Sequence, residues 1–141
     1  MAFNVLIVED SLTMRTVIKK TLEISGFDLG EVFEAGDGKE ALAVLEKEWP
    51  HLILSDIRMP GMDGFSFLRT LNMRGITSAT PVIMVTTEGR EERIEELMGL
   101  GAKACIRKPF TPEEIKRTLL DVLGPDTEAM PHKRAANGQD F

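Results

Sequence analysis

The sequence predicts an α/β fold in which five parallel strands form one sheet with five helices on both of its faces. Two observations predict it. Strand-length apolar runs alternate with helical hydrophobic periodicity from one end of the chain to the other. The runs are also nearly continuous in apolar residues, as expected of strands covered on both faces by the helices of right-handed crossovers.

The first run, Val5-Leu6-Ile7-Val8, stops at Glu9-Asp10, and this reading places it centrally. Met14, Val17, Ile18, Thr21 and Leu22 then recur at helical spacing, a face that Gly26 ends. Glu31 to Ala35 is the second strand. Ala41, Leu42 and Leu45 mark a helix that starts after the turn signal Asp37-Gly38 and stops before Pro50. Leu52-Ile53-Leu54 is the third strand, and Phe65, Leu68 and Leu71 form the apolar face of the third helix. Pro81 to Val85 follows as the fourth strand, with Ile94, Leu97 and Met98 on a fourth helix closed by Gly99 to Gly101. Ala104-Cys105-Ile106 is the fifth strand. The fifth helix has the clearest start, with Thr111 as N-cap, Pro112 at the first helical position and Glu114 completing a capping box. Ile115, Leu119, Val122 and Leu123 form its face before Gly124-Pro125. Residues 124–141 lose periodicity and read as a flexible C-terminal tail after a domain over residues 1–123.

A chain of 141 residues is expected to be one domain, able to bury roughly two-thirds of the surface it exposes when unfolded. With 17 basic against 23 acidic residues the formal charge is −6, the wrong sign for nucleic acid or for a polybasic membrane face. The single cysteine, Cys105, cannot close an internal disulfide, and the start of the chain has neither a basic leader nor a membrane-length apolar run. Together these predict a cytoplasmic protein with no membrane insertion.

Open α/β sheets bind ligands beyond the carboxyl ends of their strands. The residues there are Glu9 and Asp10 after the first strand, Asp56 after the third, Thr86 and Thr87 after the fourth and Lys108 after the fifth. Three carboxylates on one rim repel unless a cation sits among them, and a hard divalent ion such as Mg2+ answers that need. A carboxylate beside a metal and a lysine is a nucleophile suited to phosphoryl groups, giving an aspartyl phosphate. Each residue alone has a plainer explanation: Asp10 as a helix cap, Asp56 as a turn aspartate, Thr86 as a β-branched strand residue, Lys108 as a solvated surface charge. Those explanations do not account for all of them occupying the same end of the sheet.

Glu9-Asp10, Asp56 followed by Met59-Pro60-Gly61-Met62-Asp63-Gly64, Val85-Thr86 and Lys108-Pro109-Phe110 resemble the response regulator receiver family, in particular its CheY-like single-domain members, over about residues 3 to 123. The resemblance implies a doubly wound, flavodoxin-like sheet in the order 2-1-3-4-5. It implies that Asp56 is the phospho-acceptor, that Asp10, Asp56 and the backbone carbonyl of Arg58 hold Mg2+, and that Glu9 acts on the metal through water. Thr86 would hydrogen-bond the phosphoryl group, Lys108 would pair with it, and the Lys108-Pro109 bond would be cis and aim the lysine inward. The function implied is two-component signal transduction. A histidine kinase or phosphotransfer protein supplies the phosphoryl group, and a downstream protein is contacted through the fourth helix, fifth strand and fifth helix, where Arg90, Glu91, Arg93, Lys116 and Arg117 lie. Such a protein is no enzyme beyond its own phosphorylation and dephosphorylation, and dimerisation on phosphorylation stays open.

The chain departs from the chemotaxis pattern in three respects. Cys105 stands three residues before Lys108, where the family usually has an aromatic switch residue, so output is expected to rest on the loop at Thr87 and the fourth helix. Arg58 and Glu88 could pair over the site and prolong the phosphorylated state. Glu9 replaces the more usual aspartate. Other readings are weaker. Gly36-Asp37-Gly38-Lys39-Glu40-Ala41 imitates a dinucleotide fingerprint but follows the second strand, with Asp37 facing where a pyrophosphate would lie. A phosphatase with an aspartate nucleophile would need D-x-D after the first strand, which is absent, as is the glycine-rich phosphate loop of a flavodoxin. A receiver-like module that is never phosphorylated remains the main alternative. The Gly61-Met62-Asp63-Gly64 turn reads as structural.

Overall fold

A computed structural model describes residues 2–87 and 89–124. Its elements are β1 (Phe3–Val8), α1 (Leu12–Ser25), β2 (Leu29–Ala35), α2 (Gly38–Leu45), β3 (Leu52–Ser55), α3 (Gly64–Met73), α4 (Ile76–Ala79), β4 (Val82–Thr86), α5 (Glu91–Gly99), β5 (Ala104–Arg107) and α6 (Pro112–Leu123). The strands are all parallel, in the order β2-β1-β3-β4-β5. That is the order the resemblance implies. β1 lies inside the sheet between β2 and β3, but the middle strand is β3.

Alternation along the strands divides the core into two layers, because successive side chains leave opposite faces of a sheet. Val5 and Ile7 of β1, Leu52 and Leu54 of β3 and Ile83 and Val85 of β4 pack against Ile18 and Leu22 of α1 and Ile115 and Leu119 of α6. Leu6, Val8, Ile53, Val82 and Met84 point the other way, onto Phe67, Leu68 and Leu71 of α3 and Leu97 of α5. Both faces being covered explains why these strands read as unbroken apolar runs.

The helix ends follow local chemistry. Ser11, Asp37, Asp63 and Thr111 each accept from a first-turn N–H as N-caps, and Thr111 and Glu114 form the reciprocal capping box. Gly26 ends α1 in the left-handed region at φ 83°, where a Cβ would be strained.

The described residues form six helices rather than the five expected. The additional α4 is a single turn after Gly75, which is left-handed at φ 76°, and it is tied back by Thr77 Oγ1 to Asn72 Oδ1 at 3.3 Å. Four residues are too few to display a helical period. Two residues assigned to buried faces are exposed: Val17 on α1 and Met98 on α5. The region from Pro125 onward, where the flexible tail is expected, lies outside the described residues. Among the described residues no helix is long and apolar enough to cross a membrane.

Candidate functional site

All five strands end at one rim, and the loops leaving β1, β3 and β5 carry the polar residues singled out above. Backbone hydrogen bonds set this rim: Glu9 N donates to Ala35 O at 3.0 Å, Asp56 N to Val8 O at 2.9 Å, and Lys108 N to Thr86 O at 2.8 Å. Residues separated widely in sequence are thereby held side by side.

Glu9, Asp10 and Asp56 each contribute a carboxylate oxygen to a cluster in which these atoms lie within 4.8 Å of one another. Glu9 is buried, Asp56 half-buried and Asp10 exposed, so the cluster opens toward solvent on the Asp10 side. The Lys108 ammonium reaches into the cluster, with Nζ 3.1 Å from Glu9 Oε1 and 3.4 Å from Asp56 Oδ2. The other carboxylate oxygens are held by backbone: Ile57 N donates to Asp56 Oδ1 at 2.7 Å and Ser11 N to Glu9 Oε2 at 3.1 Å. The Lys108-Pro109 bond is cis, as the resemblance implies. An all-oxygen, anionic donor set of this size fits a hard divalent cation and offers nothing to a soft metal.

The loop after β3 is shaped by glycine. A Cβ on Gly64 would lie 2.5 Å from the Asp56 carbonyl oxygen and 2.6 Å from Ile57 Cα, both backbone atoms. Gly64 N also donates to Ile57 O at 2.6 Å, closing the turn at the start of α3 beside Asp56. The Gly61 to Gly64 segment is therefore structural in this sense, with Gly61 at φ 74°.

The remaining predicted residues are more dispersed. Thr86 ends β4 at the same rim and is buried. Thr87 is exposed just beyond it, and Arg58 is exposed at the edge of an open groove of about 530 Å³ that Asp10, Met59, Phe65, Arg90 and Arg93 also line. Glu88 lies outside the described residues, so the Arg58–Glu88 pairing has no structural counterpart to describe. Cys105 does not join the acidic cluster. It sits half-buried on β5, level with Met84 of β4, where burial pushes its thiol up to about 11. Of the charges expected to form an output surface, Arg90, Glu91 and Arg117 are exposed, while Arg93 lies with its guanidinium 4.1 Å from the Phe65 ring centroid.

One contact of this rim was not anticipated: Arg15 of α1 donates from Nη1 to the Glu9 carbonyl at 2.7 Å. The only sequence signal is a basic residue in the first turn of a helix, where the dipole disfavours it.

Comparison with known proteins agrees with this geometry. The family model for the response regulator receiver domain matches residues 5–120. The chain is 40% identical over 122 residues to a chemotaxis protein CheY homolog of Campylobacter jejuni, covering 86% of this chain and 92% of the relative. It is 37% identical to the phosphate regulon transcriptional regulatory protein PhoB of Escherichia coli, of which it spans 52%. The solved structure of the chemotaxis response regulator CheY4 of Vibrio cholerae matches with a TM-score of 0.76 at 38% identity, covering 86% of this chain and 99% of that one. Fold, rim and relatives agree, and the chain belongs to the response regulator receiver family of two-component signalling, as a CheY-like domain.

Proposed function

We propose that the chain is a phosphorylation switch: it takes a phosphoryl group onto Asp56 from a histidine kinase or phosphotransfer protein, in a Mg2+-dependent reaction, and passes the signal on by protein contact. The observation that carries this reading is the three-carboxylate cluster with an ammonium inside it, Lys108 Nζ lying 3.4 Å from Asp56.

An Asp56 carboxylate oxygen forms the new O–P bond while the donor's P–N bond breaks, and the bonding pair leaves with the imidazole nitrogen, which takes up a proton. Asp10, Asp56 and the Arg58 carbonyl would hold Mg2+, with Glu9 acting through water; when bound, the ion neutralises charge on the phosphoryl oxygens. Lys108 supplies a fixed positive charge 3.4 Å from Asp56 Oδ2. The Ile57 N–H orients the Asp56 carboxylate through Oδ1. The Thr86 hydroxyl, at the end of β4, would donate to the phosphoryl group once it is attached.

Output would run through α5, β5 and α6, using Arg90, Glu91, Arg93, Lys116 and Arg117, with movement of the loop at Thr87 and of α5 replacing rotation of an aromatic at Cys105. The receiver would occupy residues 1–123, a cytoplasmic protein whose only chemistry is its own modification. The family match over residues 5–120 supports that boundary.

Incubation with a small-molecule phosphodonor, with and without Mg2+, followed by intact mass, tests the reading. An adduct that needs Mg2+ and disappears in Asp56→Asn is the expected result. Absence of an adduct in wild type would make this a receiver-like module that is not phosphorylated, and continuous hydrolysis of ordinary phosphate esters would make it a phosphatase.

A further inference from the structure

Arg15 joins two elements at the rim by two hydrogen bonds. Its Nε meets Glu34 Oε1 of β2 at 3.0 Å, and its Nη1 donates to the Glu9 carbonyl at 2.7 Å. An exposed ion pair with Glu34 alone would contribute little, because solvent screens it and two long side chains must be ordered to make it. The Arg15 side chain is only 17% exposed, and its second bond is a short, charge-assisted one to backbone.

The acceptor is well placed to matter. The Glu9 carbonyl belongs to the peptide unit that also carries the Asp10 N–H, and that unit is planar. Pinning its oxygen therefore fixes the direction in which the chain leaves Glu9 and enters Asp10. Glu9 has independent restraints in Lys108 and the Ser11 N–H, whereas Asp10 is exposed and follows its backbone. Arg15 acts on the pocket through the main chain.

From this geometry we infer that Arg15 is a positioning residue for cation binding, clamping the Glu9–Asp10 peptide to β2 so that the Asp10 carboxylate stays within reach of Asp56. This rests on the Mg2+-dependent reading above. The charge of Arg15 has the opposite effect, since a guanidinium near the pocket opposes a second cation. Glu34 at 3.0 Å cancels most of that field, leaving position as the larger effect.

Isothermal titration of Mg2+ into wild type, Arg15→Gln, Arg15→Lys and the charge-conserving double variant Arg15→Gln/Glu34→Gln tests the inference, with Asp10→Asn as reference for a lost ligand. Loss of a supporting contact to a metal site typically weakens binding at least tenfold, and about that loss is expected for Arg15→Gln and equally for the double variant. Arg15→Lys keeps the charge without the fork and should recover only part. Circular dichroism and urea midpoints in EDTA establish that each variant is folded; should Arg15→Gln not fold, Arg15→Lys alone carries the test. Mg2+ affinity equal to or tighter than wild type in the folded Arg15 variants overturns the positioning role. A wild type that binds no Mg2+ overturns the metal reading itself, and this role with it.

Discussion

The ammonium of Lys108 lies nearer to Glu9, at 3.1 Å, than to Asp56, at 3.4 Å. All three side chains are well shielded, Glu9 to 4% exposure, so the lysine compensates a buried carboxylate as well as the half-buried Asp56. Removing one partner of such a group leaves charge uncompensated in a poor dielectric. Lys108→Met should cost about 3 kcal/mol of unfolding free energy in metal-free buffer. The double variant Glu9→Gln/Lys108→Met should be more stable than Lys108→Met alone, because the buried charge is gone. Urea unfolding measures both, and additive losses would show that the two residues do not interact.

Mutual repulsion of the carboxylates gives the opposite sign at Asp10. Its oxygen lies within 4.8 Å of those of Glu9 and Asp56, on the exposed side of the cluster. At water-like screening each such pair repels by about 1 kcal/mol. Asp10→Asn should therefore raise the urea midpoint in EDTA, while abolishing any further rise on adding Mg2+. A midpoint that falls in EDTA would contradict the repulsion.

Gly64 links the backbone of the site to its packing. A methyl group there would meet the Asp56 carbonyl at 2.5 Å and Ile57 Cα at 2.6 Å, with Met84 Cε behind at 3.0 Å. Only the methionine end can yield cheaply, so the loop carrying Asp56 must move. Gly64→Ala should destabilise by about 2 kcal/mol, within the range for overpacking, and should slow phosphodonor labelling of Asp56 more than it changes Mg2+ affinity. Labelling at the wild-type rate in a variant that has lost stability would separate the packing from the chemistry.

The features legible in the sequence were those with a strong local cause. The two-layer core follows from apolar runs at strand length, and the α6 start from Thr111 and Glu114, whose side chains do cap reciprocally. The acidic rim was legible because parallel strands must all end on one side, which brings Glu9, Asp10, Asp56 and Lys108 together without knowledge of any loop. What escaped was either short or long-range. α4 is a single turn with no period to read, and Val17 fits the helical spacing but projects past the edge of the covered face. The Arg15 to Glu9 carbonyl bond has a backbone acceptor, which is the same at every residue type and leaves no trace in composition.

At the opposite end of the sheet, His51 gives a pH dependence unconnected with the site. Asn4 N donates to His51 Nδ1 at 2.8 Å, His51 N returns a bond to Asn4 O at 2.8 Å, and the ring stands edge-on to Phe3 at 5.4 Å. Nδ1 can accept only when it carries no proton, and burial holds the imidazole below its ordinary value of 6.5. The unfolded chain thus takes up a proton first as pH falls. The stabilisation is complete above the unfolded value of about 6.5 and is lost progressively as pH drops through the folded value. Between about pH 7.5 and pH 5 the wild-type urea midpoint should decline more steeply than that of His51→Gln, which has no proton to gain. Carboxylates titrating in the same interval are common to both proteins and cancel in the difference. A wild-type minus variant difference that stays constant across the interval would show that His51 is equally protonated in both states, and that its bond to Asn4 does not select the neutral ring.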